Sequence, residues 1–241
     1  MALPSAIPTL SELPSRPGDP PFSAWDLWGQ TSDLGALNWL TQENVLSAVK
    51  EVQTGERVGL NLPLDFFEPP LLGRTGFNQQ IIDKAPLIVN DDVERFYGGV
   101  TQDDIHYKNR TSHPADYKKA WSRRGIVGRG VLVDFASWAD RTGAPYKAFE
   151  PHHIPIEVVD AIAQEARITF QKGDILFLRT GYVKAYQGLS AEERKNVAIV
   201  RAWTGLGQSR ATIEWLWEKQ FAAVASDSPG FECRRTSRAP T

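Results

Sequence analysis

Gly125-Ile126-Val127-Gly128-Arg129-Gly130-Val131-Leu132-Val133-Asp134 is the stretch on which the fold is decided. Spaced glycines make a turn, a β-branched run follows and an acid closes it, which predicts a loop feeding a strand over Val131 to Phe135, of the central kind. The glycines superficially resemble a dinucleotide fingerprint. They precede a strand, however, whereas a phosphate-binding glycine loop must follow a strand and open a helix.

Towards the C-terminus the periodicities alternate. Pro155 opens a helix with Ile156, Val159, Ile162 and Ala163 on one face, because a missing N–H costs nothing in a first turn. Gly173-Asp174 turns into a strand over Ile175 to Gly181. Ser190-Ala191-Glu192-Glu193 predicts a capped helix to about Trp203, with acids placed against the helix dipole. A helix over Gln208 to Lys219 and a strand over Phe221 to Ala225, ending at Ser226-Asp227, complete the series. Towards the N-terminus, Thr41 caps a helix carrying Val45, Leu46, Val49 and Val52, and Gly55 ends it. Arg57 to Leu64 reads as a strand with Pro63 at an edge. Ala85 to Val89 reads as a short strand, and residues 97–117 carry no assignable period. Strands alternating with helices define an α/β fold. No repeat or linker divides it, so the expected organisation is an extended leader over 1–22, one domain over 23–233 and a basic disordered tail over 234–241.

A formal net charge of -2 on 241 residues gives no reason to expect nucleic acid or an anionic membrane as partner. No stretch approaches the length of a membrane span, and the N-terminus lacks a basic region and apolar core, so a cytoplasmic protein is expected. The lone cysteine, Cys233, precludes an internal disulfide and suits a reducing compartment. The eight tryptophans are more than a domain of this size needs for its surface, so most are expected in the core.

Three predicted strands end alike, at Asp134, at Arg179-Thr180-Gly181 and at Ser226-Asp227. Ligands of α/β sheets collect beyond the carboxyl ends of strands, which makes Asp134, Thr180 and Asp227 the pocket candidates. Aspartate and glycine are also plain strand terminators. Of the four histidines, His152 and His153 are neighbours and point to opposite faces of an extended chain, so they cannot share an ion. Asp103, Asp104 and His106 are the densest acid–imidazole group, a composition equally suited to a solvated turn, and His113 stands apart. No residue is assigned as a metal ligand or as catalytic.

Several segments together resemble the cyclase family that includes kynurenine formamidase (arylformamidase) and isatin hydrolase, in its longer fungal and bacterial branch. They are Trp28-Gly29 with Leu34-Gly35-Ala36-Leu37-Asn38, Thr54 to Val58, Ala85-Pro86 into Asn90-Asp91-Asp92-Val93, Gly125 to Asp134, Gly173 to Leu176, Arg179 to Tyr182, and Trp215 to Asp227. The resemblance implies a swivelling β/β/α fold, a dimer or larger assembly, a small-molecule substrate, and a Zn or Mn ion whose bound water opens a formamide or cyclic amide. N-formylkynurenine, in tryptophan catabolism, is the representative substrate.

Two departures from the family pattern carry expectations of their own. In this branch a Gln-Trp-Asp-Gly-x-x-His segment follows Asn-Asp-Asp-Val and supplies metal ligands, whereas here Val93-Glu94 runs directly into Arg95-Phe96-Tyr97. Relatives also continue beyond Asp227-Ser228-Pro229-Gly230-Phe231-Glu232 into a closing region, whereas here Cys233 leads into a basic tail. The resemblance therefore implies a chain that has not retained its metal, with strands left short of partners and apolar edges bare. It could be a family remnant pairing with an intact paralogue or a secondary-metabolite pathway cyclase.

Overall fold

The computed structural model describes residues 7–14, 16–25, 27–29, 34–81, 94–97 and 125–234, with the backbone alone for 78–81 and 94–97. In chain order these form helix α1 (Gln42–Val49), strands β1 (Asn78–Ile81), β2 (Glu94–Tyr97) and β3 (Gly130–Asp134), helix α2 (Phe135–Thr142), β4 (His152–Ile154), α3 (Ile156–Glu165), β5 (Ile175–Arg179), α4 (Tyr182–Gln187), α5 (Ala191–Ile199), β6 (Thr204–Leu206), α6 (Arg210–Lys219) and β7 (Ala223–Ser226). The protein is α/β. Its contacts gather into two compact units, one of residues 1–56, 113–185 and 202–241, the other of 57–112 and 186–201.

The first unit is built on a parallel sheet in the order β3-β5-β7. Val131 faces Leu176 and Val133 faces Leu178, while Leu176 in turn faces Val224. Val131, Val133, Leu176 and Leu178 are buried on one side of the sheet, against Phe135 and Ala139 of α2, Val159 and Ile162 of α3 and Trp215 of α6. Leu132, on the other side, is 51% exposed. The continuous apolar run of β3 is thus not that of a central strand. β5 takes the centre, and β3 is half-buried with alternating exposure, as a one-sided sheet requires.

One residue, Asp174, ties the starts of all three strands together. Asp174, 2% exposed, takes Arg129 Nε and Nη2 at 2.9 and 2.7 Å and the Gln171 N–H at 2.7 Å. Its carbonyl accepts the Ala222 N–H at 2.9 Å, and the neighbouring Ile175 N–H reaches the Arg129 carbonyl at 2.8 Å. Arg129 leads into β3, Asp174 into β5 and Ala222 into β7, so a two-pronged ion pair fixes the register from below.

A second parallel pair, β4 with β6, matches His152 to Thr204 and Ile154 to Leu206. Residues 231–233 run alongside, with the Leu206 N–H on the Phe231 carbonyl and the Cys233 N–H on the Leu206 carbonyl. Gly205 is required there, because a Cβ would lie 2.6 Å from Cys233 N. The extended leader expected over 1–22 contributes packed residues. Leu10 and Leu13 are buried, and the Trp217 indole donates to the Pro8 carbonyl at 2.8 Å. Of the described tryptophans, Trp39, Trp203 and Trp215 are buried, whereas Trp25, Trp28, Trp138 and Trp217 are half-buried, so fewer lie in the core than expected.

In the second unit β1 and β2 pair antiparallel. Tyr186, 1% exposed, accepts the Glu68 N–H and donates to the Glu68 carbonyl, with Phe67 edge-on at 4.8 Å. Ser190 and Glu193 form the expected capping box on α5, which ends at Ile199 rather than near Trp203. Arg57 to Leu64, read above as a strand, forms none: Val58, Leu60, Leu62 and Leu64 are 72%, 74%, 40% and 59% exposed. The Ala85–Val89 strand expectation lies outside the described residues. Among the described residues no helix is long and apolar enough to cross a membrane.

Removing one partner of a buried ion pair leaves the other charge uncompensated. Asp174→Ala should therefore cost about 3 kcal/mol in urea unfolding with an unchanged m value. Lys195→Ala, which breaks an exposed pair with Glu192, should cost less than about 1 kcal/mol. Equal effects from the two substitutions would contradict this account of the register.

Candidate functional site

The carboxyl ends of β3, β5 and β7 carry the three residues expected there, and the parallel register brings them together. Asp134 is the N-cap of α2: its Oδ1 accepts the Ser137 N–H at 3.0 Å and its Oδ2 the Ser137 hydroxyl at 2.8 Å. Directly across the ladder, Arg179 Nη1 donates to Asp134 Oδ1 at 2.7 Å and to Ser137 Oγ at 3.2 Å. One residue further, Thr180 donates both its N–H, at 2.6 Å, and its hydroxyl, at 2.9 Å, to Asp227 Oδ1 just past β7. The Thr180 carbonyl accepts the Tyr146 hydroxyl at 3.0 Å.

Thr180 is wholly buried, and every polar atom it has is thereby satisfied. Gly181 follows at φ 81°, where a Cβ would stand 3.0 Å from Tyr146 Oη; only glycine lets the chain leave the strand so close to that phenol.

The electrostatics follow from these contacts. Burial would raise the Asp134 carboxyl, but the Ser137 N–H, the Arg179 guanidinium and the Ser137 hydroxyl outweigh it and hold the group below the usual carboxylate range. The Asp134 hydrogen bond in turn raises Arg179. Burial, and then the charges of Asp140 and Asp227, push the Tyr146 phenol up, so it remains a donor. His152 packs its ring 5.7 Å from Phe135 and 5.9 Å from Tyr146, and burial followed by its neighbour His153 pushes it down.

These donors do not fit a metal ion. Among the described residues no three His, Cys, Asp or Glu side chains converge closely enough to hold one. Both Asp134 oxygens are engaged by protein donors, and a guanidinium already stands against that carboxylate. Asp227 Oδ1 is taken by Thr180. His152 lies on an aromatic face of β4, and His153, next along the strand, points to the other side. Asp103, Asp104, His106 and His113 lie outside the described residues.

Sequence reasoning did not single out Arg179, Ser137 or Tyr146. Asp134-x-x-Ser137 has the spacing of a helix N-cap, and Arg179 occupies the strand end opposite Asp134, so both carried a signal. Tyr146 sits in a loop without period and carried none.

Polar residues gathered at the carboxyl ends of a parallel α/β sheet stand where ligands collect in such folds. The family described as "Putative cyclase" matches residues 99–233, more than half of the chain, and the protein belongs to this cyclase family. The crystal structure of a novel cyclase shares the fold, with 22% identity and a TM-score of 0.68, over 89% of this chain and 80% of that one. No curated protein matches the chain.

Two titrations should weaken the fold as acid is added. His152 has a folded pKa below its unfolded value of about 6.5, so its contribution is complete above that value and is lost as pH falls through the folded pKa. Asp134, also depressed, keeps its contribution above about pH 3.9 and loses it below. His152→Gln should flatten the loss of stability between about pH 7 and 5. Asp134→Asn should remove part of the loss below about pH 4. Unchanged acid-unfolding curves in both variants would contradict these assignments.

Proposed function

We propose that the protein keeps the scaffold of a kynurenine formamidase-like hydrolase of carbonyl–nitrogen bonds but does not turn over such a substrate on its own. Its relevant ligand class is a small arylformamide or cyclic amide, of which N-formylkynurenine in tryptophan catabolism is one. The observation that carries this reading is the engagement of both strand-end carboxylates. Asp134 binds a guanidinium and caps a helix, and Asp227 holds the Thr180 backbone and hydroxyl.

Opening an amide requires an activated water and a polarised carbonyl. In the family that this chain resembles, a bound Zn or Mn supplies both. Asp134, held at low basicity by its donors, is a poor general base at neutral pH. Arg179 can present its guanidinium to a carbonyl oxygen, which orients a ligand without generating a nucleophile. The protein then acts in the cytoplasm through association, either with itself or with an intact paralogue that performs the chemistry.

A second reading is a working metal-dependent hydrolase or secondary-metabolite pathway cyclase, favoured by the family match running through residues 99–124, which lie outside the described part.

Hydrolysis of N-formylkynurenine or isatin by folded, purified protein, with Zn or Mn added, separates the two readings. The proposal expects the rate of the buffer and metal alone. Saturable, metal-dependent turnover would establish the second reading.

A further inference from the structure

Residues 49–65 are exposed at every position, and 55–63 carry no regular structure. Among the described residues, 53–62 take part in no backbone–backbone hydrogen bond; the Glu56 N–H reaches the Thr54 hydroxyl at 3.3 Å. The side chains are equally bare, with Val58 and Leu60 at 72% and 74% exposure. One basic residue, Arg57, stands in the middle of this unbonded backbone.

A protease takes up its substrate as an extended strand, through main-chain hydrogen bonds and pockets for alternate side chains. A folded chain is therefore cut where a run of backbone can be drawn out without breaking internal bonds. The other basic residues between 1 and 81 fail this condition. Arg16 is followed by Pro17, whose ring and missing N–H obstruct cleavage, and it pairs with Asp19 at 3.0 Å. Lys50 ends α1, and the N–H groups of Lys50, Glu51 and Val52 are bonded to the Ser47, Ala48 and Val49 carbonyls. Arg74 closes a turn on the Leu71 carbonyl, behind Leu72 at φ 63°.

We propose that the Arg57–Val58 peptide bond is a processing site for an arginine-specific protease of the trypsin class, which converts the chain into two fragments that stay together. Hydrolysis breaks the bond between the Arg57 carbonyl carbon and the Val58 nitrogen. Water supplies hydroxyl to the carbon and hydrogen to the nitrogen, and ionisation leaves a carboxylate on Arg57 and an ammonium group on Val58. An acidic pocket of the protease takes the Arg57 guanidinium, which among the described residues has no ion-pair partner to give up. Fragment 1–57 is retained by contacts remote from the cut. The Trp217 indole holds the Pro8 carbonyl at 2.8 Å, Asn44 Nδ2 donates to the Lys172 carbonyl at 2.8 Å, and Leu37 and Trp39 are buried in one cluster with Ala222.

Brief digestion of the folded protein with a low dose of trypsin tests this, with fragments read by intact mass and N-terminal sequencing. Within residues 1–81 the bond after Arg57 should be cut at least about ten-fold faster than those after Lys50 and Arg74. Arg57→Gln should slow the appearance of the Val58 terminus by about ten-fold or more without moving the cut to Lys50 or Arg74, whereas Arg57→Lys should keep it. Thermolysin, which cuts before apolar residues, should still nick the Arg57→Gln variant between residues 57 and 64. The nicked protein should elute from gel filtration with fragment 1–57 bound, and the fragments should part only in denaturant. Absence of a Val58 terminus, first cleavage at Lys50 or Arg74, a Val58 terminus that persists in Arg57→Gln, or loss of fragment 1–57 from the folded protein would each overturn the proposal.

Discussion

Two carboxylate–guanidinium pairs hold the parallel sheet at its opposite ends, and the character of the site follows from them. Arg129 with Asp174 joins β3 to β5 at their starts, and Asp134 with Arg179 joins them at their ends. Each pair is separated by the same number of residues in sequence, because the two strands stay in register from the lower pair to the upper one. A parallel ladder has no hairpin to fix its alignment, so side-chain cross-links at the ends are an effective way to exclude a slip. The lower pair is the more deeply enclosed, with Asp174 at 2% side-chain exposure against 32% for Asp134.

This arrangement constrains the chemistry. A carboxylate that caps a helix and pairs with arginine is an architectural group. Asp227 has the same character, because its Oδ1 supports the buried Thr180 at the point where the chain leaves β5. The polar residues at the strand ends of this cyclase-family fold therefore also secure the sheet.

Much of this was legible in the sequence where local and tertiary demands coincide. Ser190 to Glu193 specifies its capping box within a single turn, and Thr41 its N-cap likewise. The common strand endings at Asp134, Thr180 and Asp227 located the cluster because a parallel sheet brings like ends together. Where tertiary partners decide, the reading diverged. Val131 to Phe135 suggested a strand buried on both faces, yet Leu132 is exposed, since periodicity cannot show which neighbours cover a sheet. Arg57 to Leu64 has a strand pattern but no ladder, because strand formation depends on pairing. Short elements such as β4 and β6 escaped notice because three residues carry too little pattern. The His152–Tyr146–Phe135 packing, which joins a helix, a loop and a strand, left no periodic mark.

The account rests on the strand-end carboxylates belonging to the scaffold. The most direct measurement is the carbon chemical shift of the Asp134 and Asp227 carboxyl groups, followed by NMR as Zn is added to the folded protein. Signals unmoved by the ion, with Asp134 still ionised below the usual carboxylate range, are the predicted result. A saturable shift of both carboxyls on addition of the ion would show that they are its ligands and contradict the account.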